Sequence, residues 1–276
     1  MSLWFDTHSH LQDEDFAPDF PEVLERAGKA GVSRIMMAAS KLEDAREACR
    51  LTLLYPDLYA AVGIHPHDAK TWDEKTEEEL RALVRKTNEE AKIQGRDRAV
   101  VAMGEIGLDF HYDYSPREVQ HQVFRRQLEL AHDLDLPVII HMREATAPML
   151  EALYKAAEDG LFAKDHPAGV IHCYSGSAET VPLLTSLGFM IGFDGPLTFK
   201  NARKPLEALA AVPLDLLVLE TDAPWLTPAP YRGRRNEPSC LPLIGAKAAE
   251  AKGVSPEEMA EITTRNALSL FRISQD

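Results

Sequence analysis

Short apolar runs alternate with longer segments of helical periodicity along the chain. The apolar runs are rich in valine, isoleucine and leucine, as expected of buried strands. We predict eight strands, at Leu3–Phe5, Ser33–Ala38, Leu58–Gly63, Ala99–Gly104, Pro137–Ile140, Gly169–Ile171, Gly188–Gly192 and Leu216–Leu219. We predict helices between and after them, at Pro21–Lys29, Lys41–Tyr55, Thr76–Ala91, Pro116–Leu134, Thr146–Glu158, Ala178–Leu187, Pro205–Ala211 and Ser255–Phe271, the last capped by Ser255 with Glu258 completing a capping box.

This alternation predicts the fold class. Strand–helix–strand units imply parallel strands. Eight near-continuous apolar strands are expected to close into a (β/α)8 TIM barrel, because each strand must be buried on both faces. A doubly wound open sheet is the alternative, although the sequence has no G-x-G-x-x-G dinucleotide loop. The length of 276 residues suits a single barrel domain over residues 1–276.

Composition narrows the function classes. The net charge of −14 argues against a protein that grips nucleic acid over its whole surface, which would be basic. The scattered cysteines, Cys49, Cys173 and Cys240, predict reduced thiols in a cytoplasmic protein. Cys173 follows His172, but we favour a buried apolar role for it. No apolar run is long enough for a membrane helix, and we expect no signal peptide.

Six of the eight predicted strands end in residue types that bind metals. These segments are Asp6-Thr7-His8-Ser9-His10, His65-Pro66-His67, Glu105, His141, His172 and Glu220-Thr221-Asp222. In a TIM barrel the C-terminal ends of the strands face one mouth, where active sites form. We therefore expect these side chains to converge there.

Two of these segments, the one with His8 and His10 and the one with Glu105, point to metal binding most directly. Residues two apart in an extended strand face the same side, so His8 and His10 could bind one ion, although such pairs also occur by chance on surfaces. Glu105 would be costly to bury unpaired. It either pairs with a nearby arginine or bridges two cations. We favour the bridge because histidines converge on the same mouth.

The remaining strand-end residues extend this site. A lone strand-end histidine is usually structural, but His141 and His172 on adjacent strands are better explained as ligands. Asp222 is placed to bind a metal and accept a proton. Glu220 either orients a histidine or forms a structural salt bridge.

A second histidine pair also lies at the mouth. We predict that His65 is catalytic and contacts the substrate or leaving group. We predict that His67 is a substrate-binding residue and lies behind the metal ligands. A structural hydrogen bond is an equally open alternative for each.

The loops after strands seven and eight carry a cationic patch, made of Lys200, Arg203, Lys204, Arg232, Arg234 and Arg235. Barrels often bind phosphate with these loops, and arginine suits bidentate phosphate contacts. We predict that the last three bind substrate, with an ordinary solvated run as the alternative. Trp225 and Tyr231 nearby could stack on a base or simply pack.

These motifs together resemble the TatD family of metal-dependent deoxyribonucleases, within the amidohydrolase superfamily. The matching segments are Phe5-Asp6-Thr7-His8-Ser9-His10, Gly63-Ile64-His65-Pro66-His67, Gly104-Glu105-Ile106-Gly107-Leu108-Asp109, Ile140-His141, Ile171-His172-Cys173-Tyr174-Ser175-Gly176, Glu220-Thr221-Asp222-Ala223-Pro224 and Asn236-Glu237-Pro238. The resemblance extends from residue 4 to about residue 272.

The resemblance implies a two-metal hydrolase that cleaves DNA phosphodiesters, often as an exonuclease. It implies that one ion is held by His8, His10 and Asp222, the other by His141 and His172, and that Glu105 bridges the two. Family members have also been linked to other substrates, including misacylated transfer RNA. We expect segment 143–168, with Arg143 and Lys164, to vary within the family and alter the substrate range.

We therefore predict a monomeric hydrolase that acts on DNA with two Mg²⁺, Mn²⁺ or Zn²⁺ ions per chain. Asp222 would accept the proton of a water activated by both ions, while Arg234 or Arg235 offsets the charge of the transition state. One alternative is an amide or ester hydrolase acting on a small molecule or misacylated transfer RNA. A less favoured one is a non-catalytic protein with structural metals, which would need a closed coordination shell.

Overall fold

The structure is a computed structural model that describes residues 3–163 and 165–274. Its strands are β1 (Trp4–Ser9), β2 (Val32–Ala38), β3 (Leu58–Val62), β4 (Val100–Asp109), β5 (Val138–Arg143), β6 (Gly169–Ile171), β7 (Phe189–Phe193) and β8 (Leu217–Leu219). Its α-helices are α1 (Phe20–Lys29), α2 (Leu42–Leu54), α3 (Glu74–Ile93), α4 (Arg117–Asp133), α5 (Thr146–Glu158), α6 (Val181–Ser186), α7 (Arg203–Ala211), α8 (Leu241–Lys252) and α9 (Pro256–Phe271).

The strands are parallel and lie in sequence order, from β1 to β8. The two outer strands then meet. Ser9 forms a parallel bridge with Ala223, and the backbone N–H of Asp222 donates to the carbonyl of His8 at 3.0 Å. The predicted TIM barrel is therefore confirmed, and the open doubly wound sheet was the wrong alternative.

The barrel is closed at one end by apolar packing. Side chains from the starts of the strands form an inner core. Helix α9 lies across it, and the rings of Phe271 and Phe5 are 5.8 Å apart. A second, larger core fills the space between the strands and the outer helices. Because α9 covers the N-terminal end of the barrel, the polar strand ends are left to form the opposite mouth.

Strands β1 and β4 run furthest beyond their predicted ends, and β5 extends to Arg143 rather than Ile140. Strand β1 continues to Ser9, and β4 continues to Asp109, so that Glu105 lies inside a strand. In both, the register slips by one residue. Asp6 and Ser9 pair with Ile35 and Met37 of β2, and the register of β4 against β5 slips between Met103 and Ile106. Such bulges redirect side chains and are common beside active sites.

The helix predictions were correct except at two places. Helix α8 was missed, because its sequence contains Pro242 and Gly245 and has no clear polar face. The predicted helix at Ala178–Leu187 is a 3-10 turn followed by the shorter α6, which has Pro182 in its first turn. The predicted cap of α9 is present, since Ser255 Oγ accepts a hydrogen bond from the backbone N–H of Glu258.

Three smaller predictions complete the description. Cys49, Cys173 and Cys240 carry free thiols; Cys173 is only partly buried, while the other two are buried. Within the described ranges, no helix combines the length and apolar character needed to cross a bilayer. Lys164 lies outside the described residues.

Candidate metal centre

The structure brings the six predicted metal-binding residues together at the C-terminal mouth of the barrel. His8 lies in β1 and His10 directly after it, Glu105 in β4, His141 in β5, His172 after β6 and Asp222 after β8. All are buried except His141, which is partly exposed. Strand ends from opposite parts of the sequence therefore form one polar cluster.

Glu105 occupies the centre of this cluster, and its two oxygens face different histidines. Oε2 lies 3.3 Å from Nε2 of His8 and 3.7 Å from Nε2 of His10. Oε1 lies 2.6 Å from Nε2 of His172, 2.7 Å from Nδ1 of His141 and 3.4 Å from Nε2 of His65. The carboxylate thus separates two sets of imidazole nitrogens.

The local backbone places Glu105 in this position. The register slip of β4 between Met103 and Ile106 interrupts the alternation of side chains there. Two residues later, Gly107 has a φ of +148° and lies opposite His141. A Cβ atom on Gly107 would lie 2.0 Å from the His141 carbonyl oxygen. The glycine therefore allows β4 and β5 to approach closely beside the cluster.

Asp222 completes the first set of donors. Its Oδ1 lies 3.7 Å from Nε2 of His8 and 3.5 Å from Nε2 of His10. Its backbone φ of +57° is rare for a residue other than glycine, and such conformations concentrate at functional sites. The backbone hydrogen bond from Asp222 to His8 holds this geometry.

The donor set suits cations. Glu105 is only 3% exposed, and among the described residues no lysine or arginine forms a salt bridge with it or with Asp222. The arginine partner considered as an alternative for Glu105 is thus not found in that part of the chain. The Nε2 atoms of His8 and His10 lie only 3.1 Å apart. Imidazole nitrogens that converge on buried carboxylates fit divalent metal ions.

The pKa shifts favour ionised carboxylates, whereas the histidines of the cluster differ from one another. Burial alone would raise the pKa of Glu105, but the nearby histidines hold it well below its usual value. Burial likewise opposes ionisation of Asp222, but the hydrogen bond with His10 and the charges of the nearby histidines together outweigh it and lower the pKa of Asp222. Burial lowers the pKa of His8 and of His65 to about 4. Burial also opposes protonation of His141 and His10, but their carboxylate partners outweigh it, raising the pKa of His141 to about 9 and that of His10 above its usual value. Neutral histidines and ionised carboxylates are the forms that bind metals.

Comparison with known proteins identifies the family to which this chain belongs. The family model described as TatD related DNase matches residues 5–272. The chain belongs to the TatD family. That membership makes it a metal-dependent hydrolase and confirms the family, fold and enzyme class predicted from the sequence motifs.

Similar proteins cover essentially the whole chain. It is 42% identical over 272 residues to the Bacillus subtilis protein named "Uncharacterized metal-dependent hydrolase YabD", covering 99% of this chain and 100% of that one. It is 36% identical to the "3'-5' ssDNA/RNA exonuclease TatD" of a Rahnella species, covering 98% of each. Among solved structures, the TatD homologue YJJV of Escherichia coli matches with a TM-score of 0.87 and 31% identity, covering 98% of each chain.

The predicted substrate-binding arginines lie in different environments. Arg235 donates to Asp19 Oδ2 at 2.7 Å and packs over Phe16. Arg232 packs over Phe199, and Arg234 lies above the ring of Tyr231. Arg232 and Arg234 are exposed. In this TatD-family chain, Arg235 is also exposed but is held by its ion pair, whereas Arg232 and Arg234 form no salt bridge among the described residues.

The histidines after β3 lie on the other side of the cluster. His65 Nε2 faces Glu105, and His65 Nδ1 accepts from the backbone N–H of His67. His67 Nε2 lies 3.0 Å from Asp109 Oδ2. His65 thus sits within the cluster, whereas His67 lies behind it, at the edge that faces the loop after β4.

Asp109 was not singled out by the sequence reasoning. Its Oδ2 lies 3.0 Å from both His67 Nε2 and His141 Nε2. Its Oδ1 accepts hydrogen bonds from the backbone N–H groups of His111 and Tyr112. Asp109 therefore orients His141 and also anchors the loop after β4. Its place at the end of the Gly104–Asp109 motif was the only signal for it.

Buried acids behind the cluster were also missed. Asp6 accepts hydrogen bonds from the backbone N–H and the hydroxyl of Thr221, and burial raises its pKa to about 7. Burial also raises the pKa of Asp194 to about 8. An Asp194 oxygen, an Asp222 oxygen and the Cys173 sulfur lie within 4.8 Å of one another. Asp194 follows β7 directly, and this position was its only sequence signal.

Glu220 supports the cluster from behind. Its Oε1 accepts from the Cys173 backbone N–H at 2.5 Å and lies 3.8 Å from Nδ1 of His172. Its Oε2 accepts from the Thr7 hydroxyl at 3.2 Å. Burial raises the pKa of Glu220 well above its usual value. Among the described residues Glu220 forms no hydrogen bond with His172, so its role in orienting that histidine stays a prediction.

Proposed function

We propose that this chain is a nuclease that hydrolyses phosphodiester bonds of DNA, acting on strand ends as an exonuclease. The observation that carries the proposal is the position of Glu105, whose two oxygens face two separate sets of imidazole nitrogens. Family membership and the names of exonuclease relatives support it.

The cluster suits two divalent cations. We assign His8, His10 and Asp222, whose donor atoms lie within 4.8 Å of one another, to one ion. We assign His141 and His172, whose nearest ring nitrogens are 3.4 Å apart, to the other, and Glu105 would serve both. A ring nitrogen of His65 lies within 4.8 Å of donor atoms of Glu105 and His141, so His65 could also bind the second ion. The chemistry supplied by two such ions, when bound, is charge stabilisation of the phosphate and a lowered pKa of the attacking water.

The chain's own residues supply the proton transfer and part of the substrate binding. Asp222 has a lowered pKa, so it is ionised near neutral pH and can accept a proton from the attacking water. His65, neutral at that pH, can donate a hydrogen bond to the departing oxygen. Arg232 and Arg234 are exposed near the mouth and can contact phosphates of the strand.

The test compares substrates and metals. The purified protein is freed of metal with chelator, dialysed, and assayed with Mn²⁺, Mg²⁺ or Zn²⁺ on single-stranded DNA, duplex DNA and carboxylic esters. We expect metal-dependent release of nucleotides from DNA. Full activity in excess chelator would contradict the metal mechanism. Cleavage of esters without cleavage of DNA would favour the small-molecule hydrolase instead.

The variant Asp222→Asn tests the proton acceptor. The amide keeps the shape of the side chain but loses the charge and the basic site. We expect kcat to fall by at least about 10²-fold with little change in KM. Asp215→Asn, at an exposed position just before β8, is the matched control. A kcat for Asp222→Asn within about threefold of the parent would show that Asp222 is not the base.

A further inference from the structure

Two exposed tyrosines, Tyr112 and Tyr114, lie in the loop after β4, beside the candidate metal-binding residues. Tyr112 is 43% exposed and Tyr114 is 58% exposed, although aromatic rings are usually buried more deeply. Their rings are stacked, with centroids 5.2 Å apart and planes 16° apart. They therefore form a small aromatic surface that faces solvent.

This surface is joined directly to the cluster. The ring of His67 meets Tyr112 and Tyr114 edge-on, with centroid distances of 5.4 and 4.8 Å. His67 and His141 share Asp109 Oδ2 as a hydrogen-bonding partner. A single side chain, that of His67, thus separates the tyrosines from a predicted metal ligand.

The loop that carries the tyrosines is held firmly. Asp109 Oδ1 accepts from the backbone N–H of Tyr112 at 2.9 Å. The Ser115 hydroxyl donates to the His67 carbonyl, and the Gln120 amide donates to the carbonyls of Asp109 and Ser115. A preorganised aromatic surface loses little entropy when a planar ligand binds.

A cation accompanies the aromatic pair. The guanidinium carbon of Arg143, at the end of β5, lies 4.8 Å from the centroid of Tyr112. Arg143 is exposed, and among the described residues it forms no salt bridge, whereas the neighbouring Glu144 pairs with His111. Aromatic rings next to an arginine can bind a base by stacking and its phosphate by charge.

We infer that Tyr112 and Tyr114, with Arg143, form a platform on which a base of a single-stranded polynucleotide stacks while a neighbouring phosphodiester occupies the cluster. This rests on the proposed function. A net charge of −14 does not favour attraction of a polyanion over the whole surface, and stacking does not require a basic surface. Stacking also selects single strands, because the base faces of a duplex are already covered by their neighbours.

The test measures binding separately from cleavage. Each tyrosine substitution is made in a metal-loaded Asp222→Asn background, and affinity for a 5'-labelled oligodeoxyadenylate is followed by fluorescence anisotropy. We expect Tyr114→Ala to weaken binding by about tenfold, the loss typical of one base–aromatic stack. Tyr114→Phe keeps the ring and should bind like the background. Tyr154→Ala, at a 40% exposed tyrosine of α5, is the matched control and should have no effect.

An abasic strand distinguishes stacking from a structural effect. It carries the same phosphates without bases, so the background and Tyr114→Ala should bind it equally. A loss of less than twofold on the oligodeoxyadenylate, or an equal loss on both strands, would overturn the platform. Failure of the parent enzyme to cleave DNA would instead overturn the proposed function, and the affinity measurements would still decide the stacking.

Discussion

At the scale of single residues, we predict that both proposed ions depend on Glu105. Its oxygens face separate nitrogen sets at 2.6–3.7 Å, so the loss of one carboxylate should affect both groups. We expect Glu105→Gln to retain less than one ion per chain, against two in the parent. Elemental analysis after loading with Mn²⁺ or Zn²⁺ would measure this.

Glu144→Gln is the matched control for that experiment. Glu144 also lies at the mouth, but it is exposed and pairs with His111, so its variant should keep the parent's metal content. Far-UV circular dichroism would verify that both variants are folded. Unchanged stoichiometry in Glu105→Gln would show that the carboxylate does not serve two ions.

Substitutions of Asp109 can separate its effect on metal binding from its effect on the loop after β4, because its two oxygens have different partners. In Asp109→Asn, the remaining carbonyl oxygen can still accept from the loop N–H groups, but the amide cannot accept from both histidines. Removing such a supporting partner typically costs about 10- to 100-fold in metal affinity or activity. We expect that loss in Asp109→Asn, measured by metal titration and kcat, with oligonucleotide affinity preserved.

The variant Asp109→Ala provides the contrast. It removes both sets of hydrogen bonds, so the loop that carries Tyr112 should also lose its anchor. We expect weaker oligonucleotide binding in this variant in addition to weaker metal binding. Equal oligonucleotide affinity in the alanine and asparagine variants would show that the loop is held without Asp109.

At the scale of elements, the sequence predicted the barrel because all eight strands and most of the helices carry their own periodicity. The convergence of the six predicted metal-binding residues was also expected from sequence, because parallel strands bring their C-terminal ends to one mouth. What the pattern could not reveal was the register slip near Glu105. A bulge changes which residues face the mouth without changing the composition of the strand.

The missed helix α8 has a different cause. Its residues are mostly small and apolar on every side, so helical periodicity is weak. Gly245 of α8 packs against Trp4 of β1 so closely that a Cβ atom would lie 2.1 Å from the Trp4 ring. This glycine serves a tertiary contact, whereas local propensity alone would count it against a helix.

An ion-pair network ties α1 to the loop after β8. Arg26 donates to Glu237 and to Asp19, and Arg235 donates to the same Asp19 oxygen. The hydrogen bonds from Arg235 and Arg26 lower the pKa of Asp19 from 3.8 to about 2. Because the pKa is lowered on folding, the network stabilises the folded state above about pH 4, and that stabilisation declines as the pH falls toward 2.

We expect Asp19→Asn to lower Tm by about 2 °C at pH 7, since exposed ion pairs are worth little. The difference from the parent should shrink below about pH 4. Thermal unfolding between pH 3 and pH 7 would measure it, with Glu22→Gln, an exposed position of α1, as control. A Tm difference that grows as the pH falls would contradict the assigned ionisation.

At the scale of the whole molecule, charge and aromatic surface make separable contributions to substrate binding. The chain carries a net charge of −14, so attraction to a polyanion is confined to the mouth. There, Arg143, Arg232 and Arg234 are exposed. Each phosphate contact contributes about −0.7 to the slope of log affinity against log salt on single strands. A few local contacts therefore predict a slope no steeper than about −3.

This prediction also separates the two kinds of contact. Arg143→Ala should reduce the slope by about 0.7, because one phosphate contact is lost. Tyr114→Ala should weaken binding at every salt concentration and leave the slope unchanged, because stacking releases no counterions. Anisotropy titrations between about 50 and 300 mM salt would measure both. A slope near −6 would require an extended basic track, and the acidic surface would then have to be less uniform than the composition implies.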